Sequence, residues 1–420
     1  MAGLVTIVAV LLTATPAGAS PAPSTPARTP TPTTTGTPTT LPPKAPKPTS
    51  TEVSPGKPDP HPPAGGIGPD GQPVGGAALL SRGVVVPAGA PKLPKGLTAH
   101  AWMLTDLDTG AVLAARDPHG RYQPASILKT LTSLVLLPRL AGSTVVTVGA
   151  DATNADGSAV GLVAGGKYTV DTLFKAMLLM SGNDAATALA DAGGGVKQTV
   201  AAMNREIIAL GGYDTLAQTP SGLDGWQQLT SAYDMSLVLR AVADLPRFLG
   251  YDRTLIAKLP AQRVQRRAYR AVPLANQSEN FLDGVPGALF AKTGFTDAAA
   301  HTYLCAAQRG GRRLGVVFLR AERYPKDQYQ QAAALLSWGY QLAAGAQVGE
   351  LAGPVRQPEP TRTTPSASTA SAGPPAAPTA AAHQATRRST SAGLPWWLGS
   401  AAVVLVAVGA LTARRRARRS

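Results

Sequence analysis

The chain contains 420 residues, with 39 Lys and Arg against 24 Asp and Glu, which gives a formal net charge of +15. Residues 81–350 hold 26 of the basic and 20 of the acidic residues, so most of the excess lies in the flanking segments and does not indicate nucleic-acid binding. The single cysteine excludes an internal disulfide, and the five histidines are scattered without metal-ligand spacing. We therefore predict no metal and no other cofactor.

The first 80 residues are predicted to lie outside the folded domain. An apolar run at 4–12, followed by small residues at 17–19, is typical of a secretory signal peptide, which we assign to residues 1–19. Residues 20–80 are rich in Pro, Thr and Ser, and we interpret them as a disordered linker. The folded domain is expected at 81–350, which is long enough for one α/β (α+β) domain with a sizeable core.

Ser126 and Lys129 form the first of three short strings that carry chemistry. Ser126 opens an apolar run that ends at Pro138, which predicts a mostly buried helix with the serine in its first turn. Residues three apart share one face of a helix, so the amine of Lys129 can reach the hydroxyl of Ser126. Taken alone, an N-cap serine with a solvent-exposed lysine explains this string equally well.

Ser181 and Asn183 form the second string, with Gly182 between them. It ends the apolar segment 173–180, and a further helix is predicted over 184–191. A polar corner between two buried helices is either a plain turn or a site held by its scaffold, and the string alone favours the turn.

Lys292, Thr293 and Gly294 form the third string, followed by Phe295. The surrounding pattern predicts three strands joined by tight turns, and the absence of a side chain at Gly294 would let a substrate backbone lie close to the first of them. An ordinary exposed strand lysine is the alternative for Lys292.

Three other features receive structural interpretations. Asp108 begins a D-T-G triplet that occurs once, so we interpret it as a hairpin turn and not as half of an aspartic-protease pair. The basic cluster at 263–270 is predicted to be a solvated surface, and contact with an anionic cell-wall polymer is its functional alternative. Cys305 lies in an apolar strand and is expected to be an inert core thiol.

The C-terminal segment predicts attachment to a membrane. Residues 351–393 are a second linker rich in Pro, Ala and Thr, and 394–413 form an uncharged stretch long enough for a transmembrane helix. The basic tail at 414–420 should remain in the cytoplasm. Together with the signal peptide, this predicts a single-pass protein of the cell membrane whose folded domain is extracellular and faces the cell wall.

The three strings, in this order and in these settings, resemble the motifs of the serine D-alanyl-D-alanine carboxypeptidases, a family of low-molecular-mass penicillin-binding proteins. The resemblance covers about residues 96–345 and includes the flanking segments 108–113, 181–186 and 222–224. It implies a β-lactamase/penicillin-binding-protein-like fold, with an antiparallel sheet flanked by helices and an all-helical subdomain. It also implies removal of the C-terminal D-Ala from peptidoglycan pentapeptides and inhibition by β-lactams.

The resemblance also implies a role for each site residue. Ser126 would be the nucleophile, activated by Lys129, and Ser181 would relay a proton to the leaving group. Asn183, Lys292, Thr293, Gly294 and Phe295 would contact the substrate, and the amides of Ser126 and Phe295 would hold the oxyanion. Many relatives carry His where this chain has Phe295.

Two alternatives compete with this reading. A class A β-lactamase deacylates through a glutamate in an E-x-x-x-N or E-x-x-L-N loop between the second and third strings. The glutamates in that interval are Glu206 and Glu279, and neither has an Asn three or four residues later. A non-catalytic wall-binding protein on the same fold is the other alternative, although all the motif residues are intact.

Overall fold

The computed structural model describes residues 65–353 of the chain. The predicted signal peptide, transmembrane helix and basic tail lie outside the described residues, as does most of each predicted linker. The strands are β1 (Val84–Val85), β2 (Ala101–Asp106), β3 (Ala111–Arg116), β4 (Val145–Thr147), β5 (Lys167–Thr169), β6 (Ile256–Leu259), β7 (Gln262–Val264), β8 (Arg267–Tyr269), β9 (Val272–Ala275), β10 (Ala288–Thr296), β11 (Ala300–Arg309), β12 (Arg312–Ala321) and β13 (Gly349–Glu350). The α-helices are α1 (Lys129–Leu136), α2 (Ala150–Thr153), α3 (Val170–Leu179), α4 (Asn183–Ala192), α5 (Val196–Ala209), α6 (Ala232–Val242), α7 (Pro246–Asp252), α8 (Glu279–Gly284) and α9 (Gln328–Gly339).

One seven-stranded antiparallel sheet forms the centre of the domain. Its hydrogen-bonded order is β1–β3–β2–β12–β11–β10, and β13 also pairs with β3. The three strands predicted around the third string are confirmed as β10, β11 and β12. Because β10 lies at one edge of the sheet as described, its outer side is open to a partner in the cleft.

The two faces of the sheet pack against different groups of helices. Along β11, Leu304 and Ala306 belong to one core cluster, whereas Tyr303 and Cys305 alternate onto the other. The first face packs against α6, α7 and the 3-10 turn at Ala125–Leu128, with the mutually packed helices α1–α5 beyond them. The second face is covered by α8 and α9. This arrangement confirms the predicted fold class: an antiparallel sheet flanked by helices, with an added helical region. Cys305 is fully buried, as expected of a core thiol.

The packed domain extends beyond its predicted boundaries. Within residues 65–80, which composition assigned to a linker, the Gly66 amide donates to Asp214 Oδ1 at 3.1 Å and Leu79 is fully buried. Leu351, just past the predicted C-terminal boundary, is likewise buried, and the amide of its neighbour Glu350 donates to the carbonyl of Gly75 at 3.0 Å. Composition misses these contacts because they are made mostly by backbone groups and by isolated apolar residues, which do not raise the apolar content of the segment.

The remaining sequence features lie in turns and on the surface. Asp108 lies in the turn between β2 and β3, as predicted, where it accepts a hydrogen bond from Arg313 Nε at 2.7 Å. The basic cluster at 263–270 occupies the β7–β8 hairpin, and its arginines are exposed. Among residues 65–353, no helix is both long enough and apolar enough to cross a membrane.

Candidate active site

Ser126 lies at the start of a helical segment, as predicted, although its first turn is a 3-10 turn over Ala125–Leu128 that leads into α1. Thr302 of β11 donates a hydrogen bond from Oγ1 to the carbonyl of Pro124 at 2.8 Å, which ties this turn to the sheet. Ala125 adopts a φ of +47°. That left-handed conformation costs a non-glycine residue about 1–2 kcal/mol. The sheet therefore holds the turn that carries Ser126 in a conformation that the chain would not adopt alone.

Lys129 is fully buried beside Ser126. Its Nζ atom lies 2.8 Å from Ser126 Oγ, 2.7 Å from Asn183 Oδ1 and 2.7 Å from the carbonyl oxygen of Ser221. Burial, assisted by the positive charge of Lys292, holds the pKa of Lys129 well below its ordinary value. This shift favours the neutral form of the amine, which is the form that can accept a proton.

The three contacts of Lys129 match the hydrogen-bonding capacity of a neutral amine, which has two N–H donors and one lone pair. The Ser221 carbonyl can only accept a hydrogen bond. Asn183 also presents an acceptor, because its Nδ2 donates to the carbonyl of Asp156 at 2.6 Å and so directs Oδ1 towards the lysine. In the neutral form of the amine, both N–H groups are then used, and the lone pair is left to accept the proton of the Ser126 hydroxyl.

Ser181 occupies the corner between α3 and α4 and lines the same cleft as Ser126. It has a φ of +61°, in the left-handed region. Its Oγ atom is buried, and no residue of the described part of the chain provides it with a hydrogen-bond partner. Because buried hydroxyls are normally paired, this unpaired group marks Ser181 as a candidate functional residue.

The corner around Ser181 is held by its scaffold and is not a plain turn. The buried carboxylate of Asp184 accepts hydrogen bonds from the amides of Val160, Gly161 and Leu162 at 3.0–3.1 Å. The backbone N–H of Asn183 donates to the carbonyl of Ser158 at 2.7 Å. These bonds fix the loop before β5 against the start of α4, and thereby the direction of the Asn183 side chain.

Lys292 of β10 is buried, with 1% of its surface exposed, so it is not the exposed strand lysine of the alternative reading. Its Nζ donates to the carbonyl of Thr293 at 2.9 Å. Burial lowers the pKa of Lys292, and the charge of Asp252, at the end of α7, raises it. Asp252 is also fully buried, and its carboxylate accepts a hydrogen bond from the Ala291 amide at 3.1 Å. The charge of Asp252 therefore favours the protonated form of Lys292 next to the cleft.

Gly294 allows β10 to lie close to the backbone of Ser126. A Cβ atom at this position would lie 2.8 Å from the backbone nitrogen of Ser126 and 2.3 Å from Thr302 Oγ1. The sequence suggested that Gly294 makes room for a substrate backbone. In the structure the glycine is required first by the backbone of Ser126, which is a contact within the protein.

Thr293 and Phe295 present their side chains beside the cleft. Thr293 Oγ1 donates to Gln277 Oε1 at 3.3 Å. Phe295 is 57% exposed, and its ring centroid lies 4.6 Å from that of His301 on β11. Phe295, which stands where many relatives carry His, is therefore an exposed aromatic group beside the cleft.

All eight predicted site residues meet in one place. Ser126, Ser181, Thr293, Gly294 and Phe295 line a cleft of about 380 Å³. The other three, Lys129, Asn183 and Lys292, are buried. Polar groups converge there from a helical segment, a corner between helices and a strand edge, an arrangement suited to acyl transfer.

Two further residues contribute and were not found from the sequence. Ser221 acts through its backbone carbonyl, which no side-chain pattern reveals. Asp252 supports the charge of Lys292 from a position 40 residues earlier in the chain. The G-L-D string at 222–224, which directly follows Ser221, is the sequence feature that could have indicated the contribution of Ser221. We find no sequence signal for Asp252.

Neither glutamate of the predicted interval lines the cleft. Glu206 lies in α5 and Glu279 begins α8. The described residues therefore place no glutamate in the cleft where a class A β-lactamase needs one for deacylation.

Comparisons with known proteins agree with this geometry. The family model described as D-alanyl-D-alanine carboxypeptidase matches residues 88–323. D-alanyl-D-alanine carboxypeptidase DacB2 of Mycobacterium tuberculosis is 40% identical over 272 residues, which cover 64% of this chain and 90% of the relative. A crystal structure of a D-alanyl-D-alanine carboxypeptidase from the same organism is 38% identical, with a TM-score of 0.59, and the match covers 64% of this chain and all (100%) of that one.

A Streptomyces DD-transpeptidase of known structure shares the fold at 23% identity, with a TM-score of 0.55 over 60% of this chain and 100% of its own. The family match spans the nucleophile turn, the corner at Ser181 and strand β10. The chain belongs to the D-alanyl-D-alanine carboxypeptidase family.

Proposed function

We propose that the domain is a serine acyl-enzyme hydrolase that removes the C-terminal D-Ala from peptidoglycan stem peptides. The observation that carries this proposal is the environment of Lys129. Its buried Nζ lies 2.8 Å from Ser126 Oγ, and its two N–H groups are engaged by acceptors on the other side. This arrangement leaves a neutral lone pair aimed at a hydroxyl that lines the cleft.

Acylation begins when Lys129 takes the proton of Ser126. The Oγ atom attacks the carbonyl carbon of the penultimate D-Ala, and the carbonyl oxygen becomes an oxyanion. The Ser126 amide lies close to β10 at Gly294, where it can donate to that oxygen together with the Phe295 amide. Removal of one such donor typically reduces the rate about 100- to 1000-fold.

The leaving group departs when the tetrahedral intermediate collapses. The C–N bond breaks, and the amine of the terminal D-Ala receives a proton that passes from Lys129 through the Ser181 hydroxyl. The unpartnered Oγ of Ser181 suits this relay, because no protein group of the described region competes for it. Water then attacks the acyl-enzyme ester, which returns the proton to Ser126 and releases the shortened peptide.

Specificity for a free C-terminus comes from Lys292. The buried cation lies next to Thr293 on the strand that lines the cleft. Its charge and the Thr293 hydroxyl match the carboxylate of the terminal D-Ala. Asn183 is held rigidly by Asp156 and Lys129, and we assign it to the peptide backbone of the substrate.

β-Lactams are proposed as inhibitors because they present the same carboxylate and a strained amide carbonyl to Ser126. Without a glutamate at the cleft, the acyl-enzyme should be long-lived, which disfavours the β-lactamase alternative. The non-catalytic alternative would not account for a fully buried lysine amine 2.8 Å from the Ser126 hydroxyl.

The proposed location is the outer face of the cytoplasmic membrane. The signal peptide at 1–19 directs export, and the stretch at 394–413 with its basic tail anchors the chain. Residues 357–392 of the linker between domain and anchor, if fully extended as polyproline II, would reach roughly 110 Å. Such a tether would let the domain search layers of the cell wall above the membrane.

The direct test is release of D-Ala from a synthetic stem pentapeptide. The full chain should release one D-Ala per peptide, and Ser126→Ala should abolish release while the far-ultraviolet circular dichroism stays unchanged. A parallel measurement of penicillin turnover separates the alternatives. Rapid hydrolysis indicates a β-lactamase, and a wild-type chain with neither activity indicates a wall-binding protein.

A further inference from the structure

Helix α1 contains a fully buried threonine, Thr132, whose hydroxyl group bonds outside the helix. A serine or threonine hydroxyl inside a helix commonly donates to a carbonyl three or four residues earlier in the same helix. Thr130 does so, since its Oγ1 donates to the carbonyl three residues earlier at 2.7 Å. Thr132 Oγ1 instead donates to the carbonyl of Pro220 at 2.7 Å. This bond joins α1 to residues 218–223, which we call the carbonyl loop.

The carbonyl loop presents the backbone carbonyl of Ser221, which is held from both sides. On one side, the preceding residue, Pro220, is fixed to α1 by the Thr132 hydroxyl. On the other side, Gly222 has a φ of +85°, and a Cβ atom there would overlap the carbonyl oxygen of Ala125. The loop therefore lies backbone against backbone on the turn that precedes α1, and the Thr132 bond fixes its other end.

The carbonyl loop is also closed on itself by Gln228, whose side chain is fully buried. Its Oε1 accepts hydrogen bonds from the backbone N–H groups of Gln218 at 3.0 Å and Thr219 at 2.8 Å, and its Nε2 donates to the carbonyl of Leu223. The Thr219 hydroxyl in turn accepts from the N–H of Gly222 at 3.1 Å. Because these bonds make the loop rigid, its docking on α1 sets where its carbonyl groups lie.

The position of the Ser221 carbonyl matters because it directs the amine of Lys129. In its neutral form the amine has two N–H groups and one lone pair. Asn183 Oδ1 and the Ser221 carbonyl oxygen, each 2.7 Å from Nζ, are the acceptors for the N–H groups. If the carbonyl moves away, an N–H group is free to turn towards Ser126 Oγ, and the lone pair no longer faces the hydroxyl proton.

We propose that Thr132 is a positioning residue for acylation, which acts by docking the Ser221 carbonyl against the Lys129 amine. The inference rests on the proposed function, in which that amine is the base. Thr132 does not line the cleft, so it acts on the reaction through the carbonyl loop and not through the substrate.

The test compares two substitutions of Thr132. Thr132→Val removes the hydroxyl and keeps the shape of the side chain, whereas Thr132→Ser keeps a hydroxyl. Single-turnover acylation of the full chain by a fluorescent penicillin, at increasing concentrations, gives the saturating rate and the half-saturating concentration. Thr132→Val should lower the saturating rate about 10- to 100-fold and change the half-saturating concentration by less than about twofold. Thr132→Ser should stay within about threefold of the wild-type rate, because the bond to the Pro220 carbonyl can still form.

Thr130→Val is the matched control. It makes the same change in the same helix at another fully buried residue, whose hydroxyl bonds within its own helical segment. Its saturating rate should remain close to that of wild type. One lost hydrogen bond is a small part of the stability of a domain, so both valine variants should fold. Rates are expressed per penicillin-reactive site, so a partly unfolded variant loses reactive sites and keeps its rate.

A wild-type saturating rate in Thr132→Val would overturn the positioning role, as would an equal loss of rate in Thr130→Val or in Thr132→Ser. A loss confined to the number of reactive sites would also overturn it, because Thr132 would then only stabilise the fold. A wild-type chain that penicillin does not acylate would overturn the proposed function as well.

Discussion

The backbone nitrogen of Ser126 and the α-carbon of Gly294 are so close that a methyl group on the glycine would lie 2.8 Å from that nitrogen. The turn that carries Ser126 and strand β10 are thus packed backbone against backbone. This contact sets the position of the Ser126 amide relative to β10, and the proposed oxyanion hole depends on it.

Gly294→Ala should therefore impair acylation far more than it impairs folding. Displacement of the Ser126 amide removes one oxyanion donor, so we expect penicillin acylation to slow by about 100- to 1000-fold. Gly250→Ala is the control, because nothing lies within 4 Å of a Cβ built on Gly250 in α7. Stopped-flow acylation rates measure both, and a Gly294→Ala enzyme of normal rate would refute the packing argument.

Lys292→Ala should distinguish substrates by their C-terminus. An ionic contact in a partly dry site contributes roughly 2–4 kcal/mol, which is about 30- to 1000-fold in kcat/KM. We expect a loss of that size for peptides with a free carboxylate and a much smaller loss for their C-terminal amides. Equal losses on both substrates would show that Lys292 does not act through the carboxylate.

Asp252→Asn should shift the pH at which carboxylate recognition fails. The Asp252 charge raises the pKa of Lys292 against the effect of burial, so its removal lowers that pKa further. The lysine then loses its proton at a lower pH than in wild type, and KM for free-carboxylate peptides should begin to rise earlier on the alkaline side. Asp244→Asn, which removes an exposed partner of Arg313, is the control. A KM–pH profile that coincides with wild type would rule out this coupling.

Asp234 should give the domain a pH-dependent stability. It is fully buried, and burial, together with the Asp214 charge, raises its pKa from 3.8 to about 6. A carboxyl group whose pKa is higher in the folded chain than in the unfolded chain stabilises the fold at a pH below its unfolded pKa. That stabilisation is lost as the pH rises through the pKa of the folded chain. The free energy of unfolding of Asp234→Asn, measured relative to that of wild type, should therefore be on the order of 2–3 kcal/mol higher at pH 8 than at pH 4. Urea unfolding at the two pH values measures this, and a constant difference would contradict it.

Deleting residues 394–420 should release active enzyme into the medium if the proposed topology is right. Protease added to intact spheroplasts should remove the domain from the full chain and leave the basic tail protected. Immunoblots against the two ends of the chain distinguish the fragments. A domain that resists protease until the cells are lysed would reverse the proposed orientation.

The sequence predicted the site better than the boundaries of the domain. Ser126, Ser181 and Lys292 each begin a short string, and the apolar segments around the strings placed them on a helix start, a corner and a strand. The Ser221 carbonyl was not predictable, because every residue has such a group and only the fold selects one. The segment 65–80 was misassigned because Gly66 and its neighbours attach through backbone hydrogen bonds, which composition does not register.

Buried hydroxyl groups without a hydrogen-bond partner are a second feature that the sequence could not predict. The hydroxyls of Ser181 and Tyr303 are distinctive only because they are buried and unpaired within the described residues. Burial of a tyrosine in a strand is ordinary, and its missing partner can be seen only when the packing of α8 and α9 is known.

The central claim is that Ser126 is the residue that becomes acylated. Intact-mass spectrometry after incubation with penicillin should show one added penicillin per chain, and peptide mapping should place it on Ser126. Ser126→Ala, folded by circular dichroism, should show no added mass. Stable acylation of that variant, or a label mapped to Ser181 or to any other residue, would contradict the account.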